Sequence, residues 1–267
     1  MPEEIVIRPI GVVRSDYLDA GTVQDPQQRA VIEVYPKYED ALQQIEKNSH
    51  LWLLTWFHLA RRDRLVVSPY RMNPNSPDYG VFALRAPVRP NPVALSLVQL
   101  HKTEGMSLYV SGMDAVNGTP VIDIKPYFEN DIVFSPRTPN IQPYKREMLQ
   151  NIFFRQAVNH HQEECPALLM AVRMAVIASE RFGKLNFPDL QVMVEGSPCL
   201  ADTIQGLSRA RLANPPRFAY LPADLPGRTV WRCGNETLSI TASRRIDMRC
   251  FLSLADEDVF EVSIQKQ

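Results

Sequence analysis

Prolines and turn-forming glycines cut the first half of this chain into short β-branched runs, a pattern that leaves no room for long helices and points to a compact β architecture. Glu4 to Arg14 (EIVIRPIGVVR) is β-branched, and Pro9 and Gly11 interrupt it, so it reads as a strand with a bend. Ala30 to Tyr35 (AVIEVY) repeats that character. After Pro36, YEDALQQIEKNS places Ala41, Leu42 and Ile45 on one face of a short helix. His50 to His58 (HLWLLTWFH) is apolar and aromatic, with a length that suits a strand buried on both faces. Val66 to Tyr79 carries three prolines and two asparagines and reads as a loop. Further strand-like runs follow at Gly80 to Leu84, Val93 to His101 and Met106 to Met113. So many short strands beside one clear helix predict a β-barrel or sandwich rather than a doubly wound sheet.

The pattern changes after about Pro143. Within residues 145–183, Leu168, Leu169, Val172, Ala175 and Val176 recur at three- and four-residue spacing, and Ser179 continues the face of an amphipathic helix. Alternating strand-like runs return after Asn214-Pro215-Pro216, at Thr229 to Arg232 and Thr237 to Thr241, linked by the Gly234-Asn235 turn. The expected organisation is mixed: a small β-barrel over 1–134, a proline-rich linker over 135–147 and an α+β domain over 148–267. A chain of 267 residues with 45% hydrophobic content has enough apolar material for two such cores.

No run approaches the roughly 18 apolar residues of a membrane span, and Met1-Pro2-Glu3-Glu4 lacks the basic-then-apolar order of a secretory signal. A cytoplasmic protein with no membrane partner is expected. Four cysteines (Cys165, Cys199, Cys233, Cys250) are too sparse for a disulfide framework, so free thiols or a metal site fit better. A net charge of −1 provides no global field for nucleic acid, although local patches remain open.

Two blocks carry chemistry. In GVFALRAPVRPNPVALS, residues 80–96, Arg85 and Arg89 lie among X-Pro bonds that hold the backbone extended. Fixed guanidinium forks suit a carboxylate or phosphate, while solvated arginines on an ordinary loop fit the same residues. In SGMDAVNGTPVIDIKPY, residues 111–127, Asp114 precedes an Asn117-Gly118 turn and is placed to cap it or to accept hydrogen bonds from a ribose. Asp123 and Lys125 share a strand face and can pair there, as in any surface hairpin.

HLWLLTWFH, GVFALRAPVRPNPVALSLVQL and DAVNGTPVIDIKPY, in that order and at similar spacing, resemble the signature blocks of the TsaA/TrmO family. The resemblance implies a small non-Rossmann barrel that binds S-adenosylmethionine and works as a homodimer. The implied reaction is N-methylation of threonylcarbamoyl-modified adenosine in tRNA. The implied cofactor contacts are Pro26, Gln27, Gln28, His58, Leu59, Arg85, Leu95, Ser111, Gly112, Met113 and Asp114. Asp114 is the expected proton acceptor, with His58 as runner-up. Arg89, Asn91, Asp123 and Lys125 are expected to shape the site or to touch the modified nucleotide. Val93-Ala94 and Asn117 depart mildly from the family pattern, and the 59–79 segment departs further. That segment leaves open a small-molecule acceptor linked to metal or redox chemistry, or a non-catalytic sensor of S-adenosylmethionine or metal. How Arg61, Arg62, Arg64 and Arg71 are arranged bears on that choice: one basic rim suits tRNA.

In the second half, His161 and Cys165-Pro166, then Cys199, Asp202, Ile204 and Gln205, resemble the FmdE family, with Glu163 in place of its second histidine. A transition metal such as zinc on His161, Cys165 and Cys199 is the expectation, and two buried cysteines beside an exposed histidine pair is the alternative.

Overall fold

The computed structural model describes residues 5–19, 29–224, 226–243 and 254–266. The chain forms two compact units, one of Met1–Ser68 with Pro77–Ile132 and the other of Pro69–Ser76 with Val133–Gln267.

The first unit is a closed barrel. Its strands are β1 (Gly11–Arg14), β2 (Arg29–Val34), β3 (His50–Trp56), β6 (Val93–Glu104), β7 (Ser107–Ser111) and β8 (Pro120–Pro126). They close in the order β1-β2-β7-β6-β3-β8, every pair antiparallel. Closure removes the exposed edges on which a sheet would aggregate. In β3 the side chains of Leu51, Leu53 and Thr55 alternate inward, and they meet Val13, Ile32, Val98, Leu108 and Val121 in a fully buried core. Alternation is why β3 reads as a half-buried strand here, although its sequence suggested burial on both faces. Gly11 sits where a Cβ would lie 2.4 Å from the Glu33 carbonyl oxygen, so only glycine allows β1 and β2 to approach this closely.

Two elements differ from the sequence expectation. The segment after Pro36 forms two short 3-10 stretches, Pro36–Leu42 and Ile45–Lys47, neither with a buried residue. Residues 80–84 are not a full strand: only β5 (Tyr79–Gly80) pairs, with β4 (Val66–Val67), and the chain then turns through residues 81–85. The cause is Arg89, whose guanidinium donates to the carbonyls of Val81 and Leu84 at 2.8 and 2.6 Å and through Nε to Ala86 at 2.9 Å. Those carbonyls are therefore lost to any strand ladder.

The second unit is α+β. A five-stranded sheet in the order β10-β9-β11-β12-β13 comprises β9 (Gln191–Gly196), β10 (Phe218–Pro222), β11 (Arg228–Cys233), β12 (Glu236–Ala242) and β13 (Phe260–Lys266). Only β9 and β10 run parallel, and α3 (Pro198–Ser208) connects them. The helical region of residues 145–183 is two helices, α1 (Arg146–His161) and α2 (Pro166–Phe182). Gln162, at φ 63°, ends the first, and Pro166 opens the second behind Cys165, whose sulfur accepts the Leu168 amide. Burial on α2 extends beyond the predicted face to Met170, Ala171, Met174 and Ala178, and even to Arg173, whose charge is met by Asp256. Trp231 anchors the core, fully buried, with its indole N–H on Thr229 Oγ1.

The proline-rich segment expected to join the halves lies along the second unit. Ser135 Oγ donates to the Arg209 carbonyl, Asn186 to that of Pro136, and Gln142 to Ser179 Oγ. No helix among the described residues is long and apolar enough to cross a membrane.

Candidate functional site

The end of β3, the turn after β5 and the segment between β7 and β8 converge on a cleft of about 440 Å³ in the barrel. His58, Leu59, Arg85 and Asp114, far apart in sequence, all line it. The rest of the wall includes Phe57, Pro87, Val88, Ala115 and Val116, so an apolar slot is edged by a few polar groups, the usual form of a small-molecule site. The Arg89 clamp fixes the turn that carries Arg85. Ser96, inward on β6, donates its hydroxyl to Asp114 Oδ1 at 2.5 Å and so orients the carboxylate. Thr119, also in the wall, has a buried hydroxyl with no hydrogen-bond partner among the described residues.

The other expected residues are placed differently. Met113 is buried in the barrel core, and Ser111 Oγ is 2.8 Å from His101 Nε2. Gly112 adopts φ 89°, a conformation that suits glycine in this sharp exit from β7. Leu95 is exposed on β6, outside the lining of the cleft. Arg89 spends its donors on three backbone carbonyls, and Asn91 is exposed with its carbonyl accepting the Val93 amide. Asp123 and Lys125 pair at 2.7 Å on β8, and Asp123 lines a different hollow, with Ile10, Tyr38 and Phe128. Pro26, Gln27 and Gln28 lie outside the described residues. Of the four arginines weighed for a basic rim, Arg61 lines the cleft while bound to Asp63, Arg62 lies 4.9 Å from the centre of the Trp56 ring, and Arg64 is exposed. Arg71 belongs to the second unit.

Sequence reasoning passed over Phe57, Val88, Ser96 and Thr119. For Ser96 no sequence signal existed, because the other face of β6 carries Val93, Leu95 and Leu97 and alternation alone would turn the serine outward.

In the second unit, α1 and α3 together with the loop before α2 bring His161, Cys165 and Cys199 within 4.8 Å of one another, each offering one ligand atom. His161 Nδ1 lies 2.7 Å from Asp202 Oδ2, which leaves Nε2 on the side of Cys165 Sγ, 3.6 Å away. His160 Nε2 reaches the other Asp202 oxygen at 3.2 Å. Burial, then the neighbouring Cys165, pushes the Cys199 thiol up. A carboxylate behind a histidine that faces two thiols is the arrangement that orients metal ligands, and the residues fit a thiophilic divalent ion.

A closed β-barrel with a polar-edged apolar cleft, followed by an α+β unit with a thiol and imidazole cluster, is the class of protein these features define. Residues 19–131 match the family described as tRNA-methyltransferase O N-terminal domain, and residues 160–245 match FmdE, described by the molybdenum formylmethanofuran dehydrogenase operon. A "Probable S-adenosyl-L-methionine-binding protein" of Archaeoglobus fulgidus is 34% identical over 221 residues, covering 79% of this chain and 60% of that protein. That stretch is longer than either compact unit. A protein of the same description from Methanothermobacter thermautotrophicus is 44% identical over 131 residues, covering 48% of this chain and 93% of its own length. The tRNA (adenine(37)-N6)-methyltransferase of Rattus norvegicus is 37% identical over 134 residues, covering 46% of this chain and 31% of its own length. The chain belongs to the TsaA/TrmO family.

Proposed function

We propose that the barrel cleft binds S-adenosylmethionine and that the protein is a methyltransferase acting on the threonylcarbamoyl-modified adenosine of tRNA. The observation that carries this reading is the convergence of His58, Leu59, Arg85 and Asp114 on one cleft. The names of the archaeal relatives support the cofactor, and that of the rat relative supports the acceptor. When bound, S-adenosylmethionine supplies a methyl group activated by its sulfonium sulfur. The residues fit it: the Arg85 guanidinium for a carboxylate, apolar walls at Phe57, Leu59 and Val88 for a base, and Asp114 for an ammonium or a ribose.

Transfer to nitrogen makes an N–C bond as the C–S bond breaks, with the electron pair leaving on sulfur and a proton leaving the nitrogen. The chain's contribution is to align the partners and exclude water from the apolar slot. Asp114, an exposed carboxylate held by Ser96, is the proton acceptor, and His58 stands on the same wall as the second candidate. Calorimetry with S-adenosylmethionine tests the reading. Wild-type protein binds and Arg85→Ala weakens binding at least roughly tenfold, equivalent to about 1.4 kcal/mol. Methyl transfer to tRNA carrying the modified adenosine then tests the acceptor. Folded wild-type protein that binds no cofactor refutes the proposal.

The second unit supports a further reading of the same kind: His161, Cys165 and Cys199 hold a zinc ion, with Asp202 orienting His161. Zinc stoichiometry, and the thiolate absorption of the cobalt-substituted protein, report on it. Cys199→Ser abolishes the thiolate band from that ligand, and Asp202→Asn weakens metal affinity about 10–100-fold. Metal uptake equal in all three proteins would show the cluster to be two ordinary thiols beside a histidine.

A further inference from the structure

A cavity of about 810 Å³ opens in the second unit between the 135–140 segment, the end of α2 and the loop before β10. Its charged lining is one-sided: Arg137, Lys184, Arg211 and Arg217, with no carboxylate among the described lining residues. In a chain of net charge −1, this is a local concentration of positive charge rather than a reflection of composition.

Among the described residues, two of the cations, Arg217 and Lys184, are held in place by backbone carbonyls rather than by acids. Arg217 is only 8% exposed, and its guanidinium donates to the carbonyls of Phe187, Leu190 and Arg209 at 2.8 to 3.1 Å. Burial, then the nearby Arg211, lowers its pKa. Lys184 Nζ donates to the Thr138 carbonyl and hydroxyl at 2.6 Å each, and burial lowers its pKa as well. Carbonyl dipoles position these charges without neutralising them, and an anion that enters the cavity removes the cost of keeping four like charges together.

The rest of the lining narrows the class of anion. Asn140, Asn186 and Asn214 supply amide donors and acceptors, and Phe187, half exposed, offers a bare aromatic face beside the cations. A sulfate or a carboxylate needs neither. An unpaired nucleotide needs all three: cations for its phosphate, an aromatic face to stack the base, and amides for the base edge.

We propose that this cavity of the FmdE-like unit binds RNA, taking the phosphate and base of an unpaired stretch of the tRNA substrate. The choice of tRNA rests on the acceptor proposed for the barrel, and each reading has its own readout. The unit thereby contributes to substrate capture without taking part in methyl transfer.

The test uses the full-length chain, with fluorescence anisotropy of labelled tRNA over a series of salt concentrations. Arg137→Gln/Arg211→Gln removes two exposed cations whose side chains make no hydrogen bond among the described residues, so the protein stays folded and calorimetric S-adenosylmethionine binding is unchanged. The expected result is tRNA binding weakened roughly tenfold or more, with the slope of log K against log salt reduced by about 2. Phe187→Ala, which leaves every charge in place, weakens binding on the order of tenfold with the slope unchanged. Unchanged affinity and slope in the double variant overturn the proposal. So does a cavity that binds AMP, with loss in the double variant, while tRNA affinity stays the same. If wild-type protein binds tRNA through these residues but methylates none, the acceptor assigned to the barrel fails and the cavity stands.

Discussion

Gly206 of α3 faces His160 of α1 so closely that a Cβ there would lie 2.3 Å from the imidazole Cδ2 and 2.4 Å from Cγ. Carbon atoms normally pack about 3.5–4.0 Å apart, so Gly206→Ala creates an overlap of more than an ångström. Relief requires the imidazole to swing off Asp202, losing a 3.2 Å hydrogen bond, or the two helices to separate. Overpacking costs about 1–3 kcal/mol and the lost hydrogen bond about 0.5–1.5, against a gain of about 1 from replacing a helical glycine with alanine. The net is a destabilisation of about 0.5–3.5 kcal/mol, or a fall of roughly 2–10 °C in the Tm of a unit this size. Differential scanning calorimetry measures it, and the His160→Ala background decides its cause. Without the ring the remaining close contact is the Cβ of residue 160 at 3.0 Å, so the same substitution should lose most of its cost in that background. A Gly206→Ala protein as stable as wild type, or equally destabilised in both backgrounds, would refute the steric argument.

Three other substitutions probe separate parts of the structure. Trp231→Ala empties the centre of the second core, where the ring is fully buried, and should cost about 3–5 kcal/mol in urea unfolding of that unit. Arg89→Ala strips three carbonyls of their donor and should lower the barrel's stability by about 1–3 kcal/mol, and Arg89→Lys should not restore it, because a single ammonium cannot span the fork. Lys125→Ala breaks a pair whose side chains are 60% and 42% exposed, so denaturant midpoints should move by no more than about 1 kcal/mol equivalent.

Strand-forming composition made β3 and β6 legible as strands although their apolar runs hid which face turns inward, and the buried face of α2 was visible in the spacing from Leu168 to Val176. What the pattern did not carry was competition for the backbone. Gly80 to Leu84 has the composition of a strand, yet an arginine several residues downstream takes two of its carbonyls. Among site residues, those in the long family-like blocks were readable, and four of them meet in the cleft. The residues that orient them are single polar side chains in otherwise apolar runs, Ser96 behind Asp114 and Asp202 behind His161, and their partners become evident only when the chain is folded. The cationic cavity was invisible for the same reason: Arg137, Lys184, Arg211 and Arg217 are scattered over 81 positions with no motif among them.

The assignment of Pro69–Ser76 to the second unit bears on how this chain can be divided. The polypeptide leaves the barrel after Ser68, returns at Pro77 and leaves again after Ile132, so the two units are not joined at a single point. Within the second unit, Asn73 donates to the Gln142 carbonyl and the Tyr144 amide to that of Met72. A fragment ending at residue 132 therefore retains an eight-residue segment in which Met72 and Asn73 have lost hydrogen-bonding partners, and a fragment starting at 133 lacks part of its own packing. Activity lost on truncation of this chain would therefore not by itself show that the removed half takes part in the chemistry.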